Sequence, residues 1–437
     1  MRSDNFHTMG SNKMSNEVIR RYMKIHNMNG DVLQTNFVML FNTFGWTLSL
    51  IGNIIKSIYI ILIITDGYMR LASFNVENMF ERPSVMNLPS WEDGKTVLKD
   101  FDDLVNLIQN KMYSEQIKKE LLQIMKRNNG LLTKRESKFI RLVEVREKLV
   151  KKQQGVYVIL ANGRDDWIGW FELKKDTIKE LAIENTARVI DELKADVLCV
   201  IEAENRIALK RFNEMVIPKI KGQSYDHTML IDGNDERGID VGIVSRKGFE
   251  IRSMTSHVDD VDPDGLIFSR DCAEYHLTTP SGNDLFLLIN HFKSKGFGAQ
   301  QDNNKKRTRQ AKKVRKIYDE LNNKFDFIAV IGDLNDTPDS TPLRALLGSN
   351  SNLLDIMKHE KFVGDGRSGT HGNGTKSGKL DYILMSPELA KKAKLGGIER
   401  RGVWGGKNGD LFPHFPEVKT AKDAASDHAA LWVDLDI

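Results

Sequence analysis

Six short apolar runs, each bordered by polar side chains, constrain the fold of this chain more than any other feature. They are VLCVI (197–201), VGIVS (241–245), LFLLI (285–289), FIAVI (327–331), YILM (382–385) and AALWV (429–433), preceded by RLASFNV (70–76). A strand buried on one face only would alternate apolar with polar residues. Continuous runs such as VLCVI and FIAVI indicate sheets covered on both faces. Helical segments such as ENTARVIDELKAD (184–196) separate the runs. The alternation predicts an α/β sandwich over about residues 69–437, built as one domain with no short internal repeat.

Two stretches depart from that pattern. Between Pro83 and Lys175, Val97, Leu98, Phe101, Leu104, Val105 and Ile108 recur at helical spacing, and Ile117, Leu121, Leu122 and Met125 repeat it. Pro83 and Pro89 punctuate the start. This predicts a mostly helical insertion over about 83–175, acting as plain scaffold or as a lid or substrate-selecting arm. Residues 1–68 form a separate N-terminal extension whose hydrophobic segment 37–65 is long enough for a transmembrane helix. Lys56, Asn42 and Asn53 weaken that segment, and Arg20, Arg21 and Lys24 would keep the N-terminus in the cytoplasm. It is too long and too far from residue 1 for a simple secretory signal. The other reading starts the protein at Met69, with the upstream stretch a mis-called extension. The chain is accordingly expected to be cytoplasmic, or membrane-anchored if the segment is real.

The composition, 40% hydrophobic and 28% charged, suits a folded globular chain. A net charge of +4 is compatible with a polyanionic substrate without requiring one. Cys199 and Cys272 are too few for a disulfide framework or a Cys-rich zinc site, and read as buried free thiols.

Chemistry gathers at the ends of the runs. Asn75 and Glu77 follow the first strand, and Glu202 follows VLCVI. Asn290 and His291 follow LFLLI, and Asp333, Asn335 and Asp336 follow FIAVI. Asp381 precedes YILM, and Asp427 and His428 border AALWV. A lone Asp or Asn at a strand end is ordinarily a turn or cap residue. A set is harder to dismiss, because sheet edges collect strand ends. Acidic groups gathered there repel one another unless a cation neutralises them, and oxygen ligands without cysteine favour Mg2+ or Mn2+ over zinc.

Seven segments, in order, resemble the endonuclease/exonuclease/phosphatase family: FNVEN (74–78), ADVLCVIEAEN (195–205), DERGIDVGIVSR (235–246), NHFKSKG (290–296), GDLNDTP (332–338), LDYILMSP (380–387) and SDHAAL (426–431). The resemblance implies a four-layer α/β sandwich, two packed mixed β-sheets flanked by helices, that hydrolyses phosphoesters with Mg2+ or Mn2+. It implies that Glu202, Asn75 and Asp427 hold the metal. His428, oriented by Asp381, would sit against the phosphorus. Asp333 would position or deprotonate water, Asn335 would donate to the phosphate, and His291 would contact a non-bridging oxygen or help protonate the leaving group. Arg237, Arg270 and Lys293 are substrate-contact candidates, and the two arginines serve equally well as braces for acidic ligands. Ile201 replaces the glutamine that usually precedes the metal-binding glutamate. Nucleic acid is the first substrate reading. A phospholipid or inositol phosphate is the alternative, and a non-catalytic binding module the third.

Two further segments bear on substrate. Asn303–Lys316 holds eight Lys or Arg residues and leads into a helix marked by Val314, Ile317 and Leu321. It reads as a solvated helix face or as a phosphate-contact surface near His291. The Gly-rich stretch 364–384 carries Thr370 and His371 but lacks phosphate-loop spacing, and His371 could touch substrate or simply be solvated. Without a base-reading module, weak sequence preference is expected.

Overall fold

The apolar runs form strands, and each is covered on both sides. The computed structural model describes residues 68–437 except 89, 90, 236, 297 and 298. Thirteen of its strands build two sheets. In chain order they are β1 (Met69–Asn75), β2 (Val197–Ala203), β3 (His227–Leu230), β4 (Asp240–Ser245), β5 (Glu250–Thr255), β6 (Cys272–Thr278), β7 (Asp284–His291), β8 (Phe327–Asp333), β9 (Leu354–Asp355), β10 (Phe362–Val363), β11 (Asp381–Met385), β12 (Ala393–Glu399) and β13 (Ala430–Leu435). The longer helices are α1 (Trp91–Ile108), α2 (Glu115–Arg127), α3 (Glu180–Leu193) and α4 (Gln300–Asn322). One sheet runs β10-β12-β13-β1-β2-β4-β3, the other β5-β6-β7-β8-β11-β9. Both are mixed: β1 is parallel to β2 but antiparallel to β13, and β8 is parallel to β7 but antiparallel to β11.

Side-chain alternation explains the layers. Along β2, Cys199 and Ile201 join Leu287, Ile289, Ile331 and Ile383 between the sheets, while Leu198 and Val200 face Val189, Ile190 and Leu193 of α3. Along β8, Ile328 and Val330 instead face Val314, Ile317 and Tyr318 of α4. Helix, sheet, sheet, helix is a four-layer α/β sandwich, and each fully buried Leu or Ile side chain stabilises it by about 2 kcal/mol. Cys199 and Cys272 are both free and buried.

The insertion carries its own core, in which Leu98, Phe101 and Leu104 of α1 meet Leu121 and Met125 of α2. Its neck is a strand pair, Glu81–Pro83 against Lys175–Thr177. The expectation of a mostly helical insertion holds for its first half only. Its second half is two hairpins, Ile140–Arg146 with Ile168–Leu173 and Val150–Gln153 with Val156–Ile159. The reason is a period of two: Ile140 and Leu142 are buried and Arg141 exposed, and Phe171 and Leu173 are buried while Ile168 and Trp170 are exposed. The hydrophobic segment 37–65 lies outside the described residues. Among the described residues no helix is long and apolar enough to cross a membrane.

Candidate active site

Strand register places the first three groups. His291 pairs with Asp333 across β7 and β8, and Asp333 with Asp381 across β8 and β11, so the three form a row over adjacent strands. Gly332 makes the close approach possible: its φ is +125°, and a Cβ there would lie 2.0 Å from the Asn290 carbonyl oxygen. In the facing sheet Asn75 pairs with Ile201, which sets it beside Glu202. Ser426 hydrogen-bonds the Asn75 carbonyl at 2.7 Å and so brings Asp427 and His428 to the same end.

The two sheets meet at one carboxylate oxygen. Asp333 Oδ2 accepts from the Asn75 amide at 3.3 Å and from the Asn335 amide at 3.2 Å. It lies 3.7 Å from His291 Nε2 and 3.9 Å from His428 Nε2. The other nitrogen of His428, Nδ1, pairs with Asp381 Oδ2 at 2.8 Å, which fixes the ring's tautomer and direction. His291 Nε2 also faces Glu202 Oε1 at 3.4 Å. Glu202 and Asn335 hold left-handed backbone conformations, φ 66° and 53°. Non-glycine residues adopt these at a cost that functional sites often bear.

Glu77 completes the acidic side. Its carboxylate accepts from the Asp427 amide at 3.0 Å and meets Arg82 at 3.1 Å. Burial pushes Glu77 up to about 7, with Asp427 and Glu202 adding to the rise and Arg82 opposing it. Burial also pushes Asp333 up to about 7, helped by the charge of Asp381. Glu202 is raised by burial, against the pull of Arg237 and His428. The imidazoles split. Burial, then Arg237, hold His291 well below its ordinary range, so it is neutral. For His428 burial pulls downward, but Asp381 and Asp427 prevail and keep it well above that range. Burial opposes ionisation of Asp427 too, yet His371 and His428 hold its carboxyl below the usual range.

This donor set fits a hard divalent cation. Three buried or half-buried carboxylates carry proton affinities raised by burial and by their acidic neighbours, a cost that a bound cation removes. Asp427 Oδ1 is buried with no hydrogen bond, although the side chain as a whole stays 46% accessible. No thiol is near. The tightest donor groups contain His428, with either His371 and Asp427 or Asp333 and Asp381, each set within 4.8 Å. In both groups His428 Nδ1 is already committed to Asp381.

The remaining candidates separate. Arg270 is buried, pairing with Asp235 at 2.6 Å and donating to the Phe292 carbonyl at 2.9 Å, which makes it a brace. Arg237 shares Asp235 at 2.8 Å and acts electrostatically on Glu202 and His291, so it borders the cluster. Lys293 is lowered by burial, and its backbone amide donates to Gln310 at 2.9 Å. The basic run lies within α4 and is largely spent on ion pairs: Lys305 with Asp264 at 2.9 Å, Arg307 with Asp336 at 3.1 Å, and Lys313 with Asp260 at 2.8 Å. Arg309 pairs with Asp262 and Arg315 with Asp319. That pairing removes most of the phosphate-contact surface the sequence suggested.

The sequence assigns no site role to Thr370 or Glu77, and leaves His371 as a loop residue that either touches substrate or is solvated. Thr370 is fully buried; its hydroxyl donates to Asp381 Oδ2 at 2.5 Å and accepts from the Asp381 amide at 3.1 Å. His371 meets Asp427 at 3.1 Å and lies edge-on to His428, ring centroids 4.7 Å apart. Glu77 was noted at a strand end but given no part in the site. The only signal for Thr370 and His371 was their place in the Gly-rich loop that precedes Asp381.

The comparisons with known proteins follow the same lines. None of the curated proteins matches the chain. Among solved structures, a mannosyl-6-phosphatase of Bacteroides thetaiotaomicron is 19% identical, covering 58% of this chain and 91% of its own, with a TM-score of 0.42. An endonuclease/exonuclease/phosphatase protein of Bacteroides vulgatus is 16% identical over 58% and 90%, with a TM-score of 0.42. The human Nocturnin catalytic domain with bound sulfate is 15% identical over 57% and 86%, with a TM-score of 0.38. At that level of likeness nothing follows about substrate. The sequence model of the Endonuclease/Exonuclease/phosphatase family matches residues 163–396, more than half of the chain. The chain belongs to the endonuclease/exonuclease/phosphatase family.

Proposed function

We propose that this protein is a Mg2+- or Mn2+-dependent phosphodiesterase that cleaves nucleic acid by in-line attack of water. Family membership supports phosphoester hydrolysis in general. The observation that carries the reading is the meeting of Asn75, Asn335, His291 and His428 around Asp333 Oδ2, beside Glu77, Glu202 and Asp427.

Glu202, Asn75 and Asp427 would hold the cation, which when bound neutralises the phosphate and polarises phosphorus. Asp333, with its proton affinity near neutrality, takes the proton of the attacking water. His428, kept protonated and oriented by Asp381, presents Nε2–H to a phosphate oxygen. Asn335 and neutral His291 add donors where negative charge builds in the transition state.

The test is a screen of the full chain with Mg2+ or Mn2+ against DNA, RNA, sphingomyelin and inositol phosphates, beside Asp333→Asn. Metal-dependent cleavage of DNA or RNA that disappears in the variant supports the reading. Hydrolysis of sphingomyelin or inositol phosphates alone would reassign the substrate, and no hydrolysis at all would contradict the chemistry.

A further inference from the structure

A groove of about 910 Å3, lined by Phe80, Glu204, Arg206, Ile207, Arg211 and Met215 among others, starts two residues beyond Glu202. The proposed chemistry leaves it unused. One wall is fixed by Glu204, whose Oε1 accepts from three successive amides: Met79 at 3.0 Å, Phe80 at 2.6 Å and Glu81 at 3.0 Å. The Phe80 ring then meets Phe212 edge-on, centroids 6.0 Å apart. The other wall is the short helix Arg206–Arg211, capped by Asn205, and its π-helical continuation Phe212–Val216. Ile207 and Met215 are 52% and 68% exposed, and both line this one groove. Arg206 and Arg211 are exposed, and neither has a carboxylate partner among the described residues, whereas the neighbouring Lys210 pairs with Glu214 at 3.7 Å. Glu81 and Asp232 also line the groove, so its cationic edge is confined to the helix.

We propose that this groove holds the stretch of a nucleic-acid strand next to the scissile phosphodiester. Bases lie against Phe80, Ile207 and Met215, and a neighbouring phosphate sits on Arg206 and Arg211. The proposal rests on the nuclease reading and narrows it to a strand of several nucleotides. Guanidinium forks match phosphate oxygens, and aromatic or apolar surfaces accept the face of any base, so sequence preference is weak. A sphingomyelin headgroup brings a single phosphate, the one under attack, and leaves both arginines without a partner. An inositol phosphate has no apolar body for the groove floor.

Binding is measured by fluorescence anisotropy with a fluorescein-labelled oligothymidylate of about twelve nucleotides, a length suited to such a groove. The full chain is titrated in EDTA over a range of KCl, as wild type, Arg206→Ala/Arg211→Ala and Lys312→Ala/Lys316→Ala. The first double variant is expected to raise Kd about tenfold and to lower the salt slope by about 0.7, the value for one lost phosphate contact. The second, which removes the same charge from α4, is expected to change Kd by less than about twofold. Equal losses in both variants, an unchanged Kd in the first, or no binding by the wild type would overturn the proposal. Bis(4-nitrophenyl) phosphate hydrolysis with Mn2+ separates the two claims. Turnover of that small diester without strand binding rejects the groove and keeps the hydrolase. Strand binding lost in the first variant, with no turnover, upholds the groove and rejects the hydrolase.

Discussion

Helix α4 and the mouth of the sandwich are both rich in charge, and they dispose of it in opposite ways. On α4, Arg307 meets Asp336 at 3.1 Å, Lys313 meets Asp260 at 2.8 Å, and Lys305 meets Asp264 at 2.9 Å. These cations brace the segment 260–266 and the GDLND turn. At the mouth, Glu77, Glu202 and Asp333 share two nearby guanidiniums and one imidazolium, and burial still raises the proton affinity of all three. Paired charge is structural; charge left buried and under-compensated marks where a ligand belongs. The basic run, conspicuous in the sequence, is therefore mostly framework, and the scattered strand-end carboxylates form the candidate site.

The largest effect expected on either side of that contrast is Asp333→Asn. It should lower kcat by about a thousandfold on a small phosphodiester without lowering the thermal melt, since it removes a proton acceptor but no core packing. Next comes Thr370→Val. Losing the hydroxyl that holds Asp381 should cost about 10- to 100-fold in kcat with KM little changed, a loss typical of groups that orient a catalytic pair. Steady-state kinetics separate the two parameters.

A third expectation concerns pH and the metal-free protein. Glu77 and Asp333 are raised to about 7 in the fold. A carboxyl with a raised folded pKa binds more protons folded than unfolded, so its stabilising contribution is present below about 4 and lost as pH climbs to 7. Asp427, which is lowered, acts in the opposite sense, but only in acid below its ordinary value of 3.8. Melting in EDTA should fall by several degrees between pH 5 and pH 8, of order 2–4 °C per kcal/mol, and added Mn2+ should restore more at pH 8. The smallest effect is expected from Lys312→Ala/Lys316→Ala, with stability within about 0.5 kcal/mol and the cleavage rate of a small diester within about twofold. A loss there as large as that of Asp333→Asn would erase the contrast.

The strand positions were readable because burial on both faces leaves continuous apolar runs, and the polar residues at their ends are local to those runs. Register then does what sequence cannot state: it sets His291 beside Asp333 and Asp333 beside Asp381. The hidden parts depend on chain segments that meet only in space. Thr370 reaches Asp381 because its loop turns back to pair with the segment at His428. Three of the acids that neutralise α4, Asp260, Asp262 and Asp264, sit well before it in the chain, in a segment that looks like an ordinary turn. The hairpins of the insertion are masked in the sequence by the strong helical periodicity of α1 and α2 that precedes 140–173, where the period is two.

Everything at the mouth turns on whether a divalent cation neutralises its carboxylates. Calorimetric titration of the full chain with Mn2+ at pH 7, in buffers of different ionisation enthalpy, tests it most directly when wild type and Glu202→Gln are compared. Wild type is expected to bind Mn2+ with release of protons, because carboxyls held near 7 must give them up, and Glu202→Gln to bind at least about tenfold more weakly. A wild type that binds no Mn2+, or a variant that binds it equally well, would contradict the account.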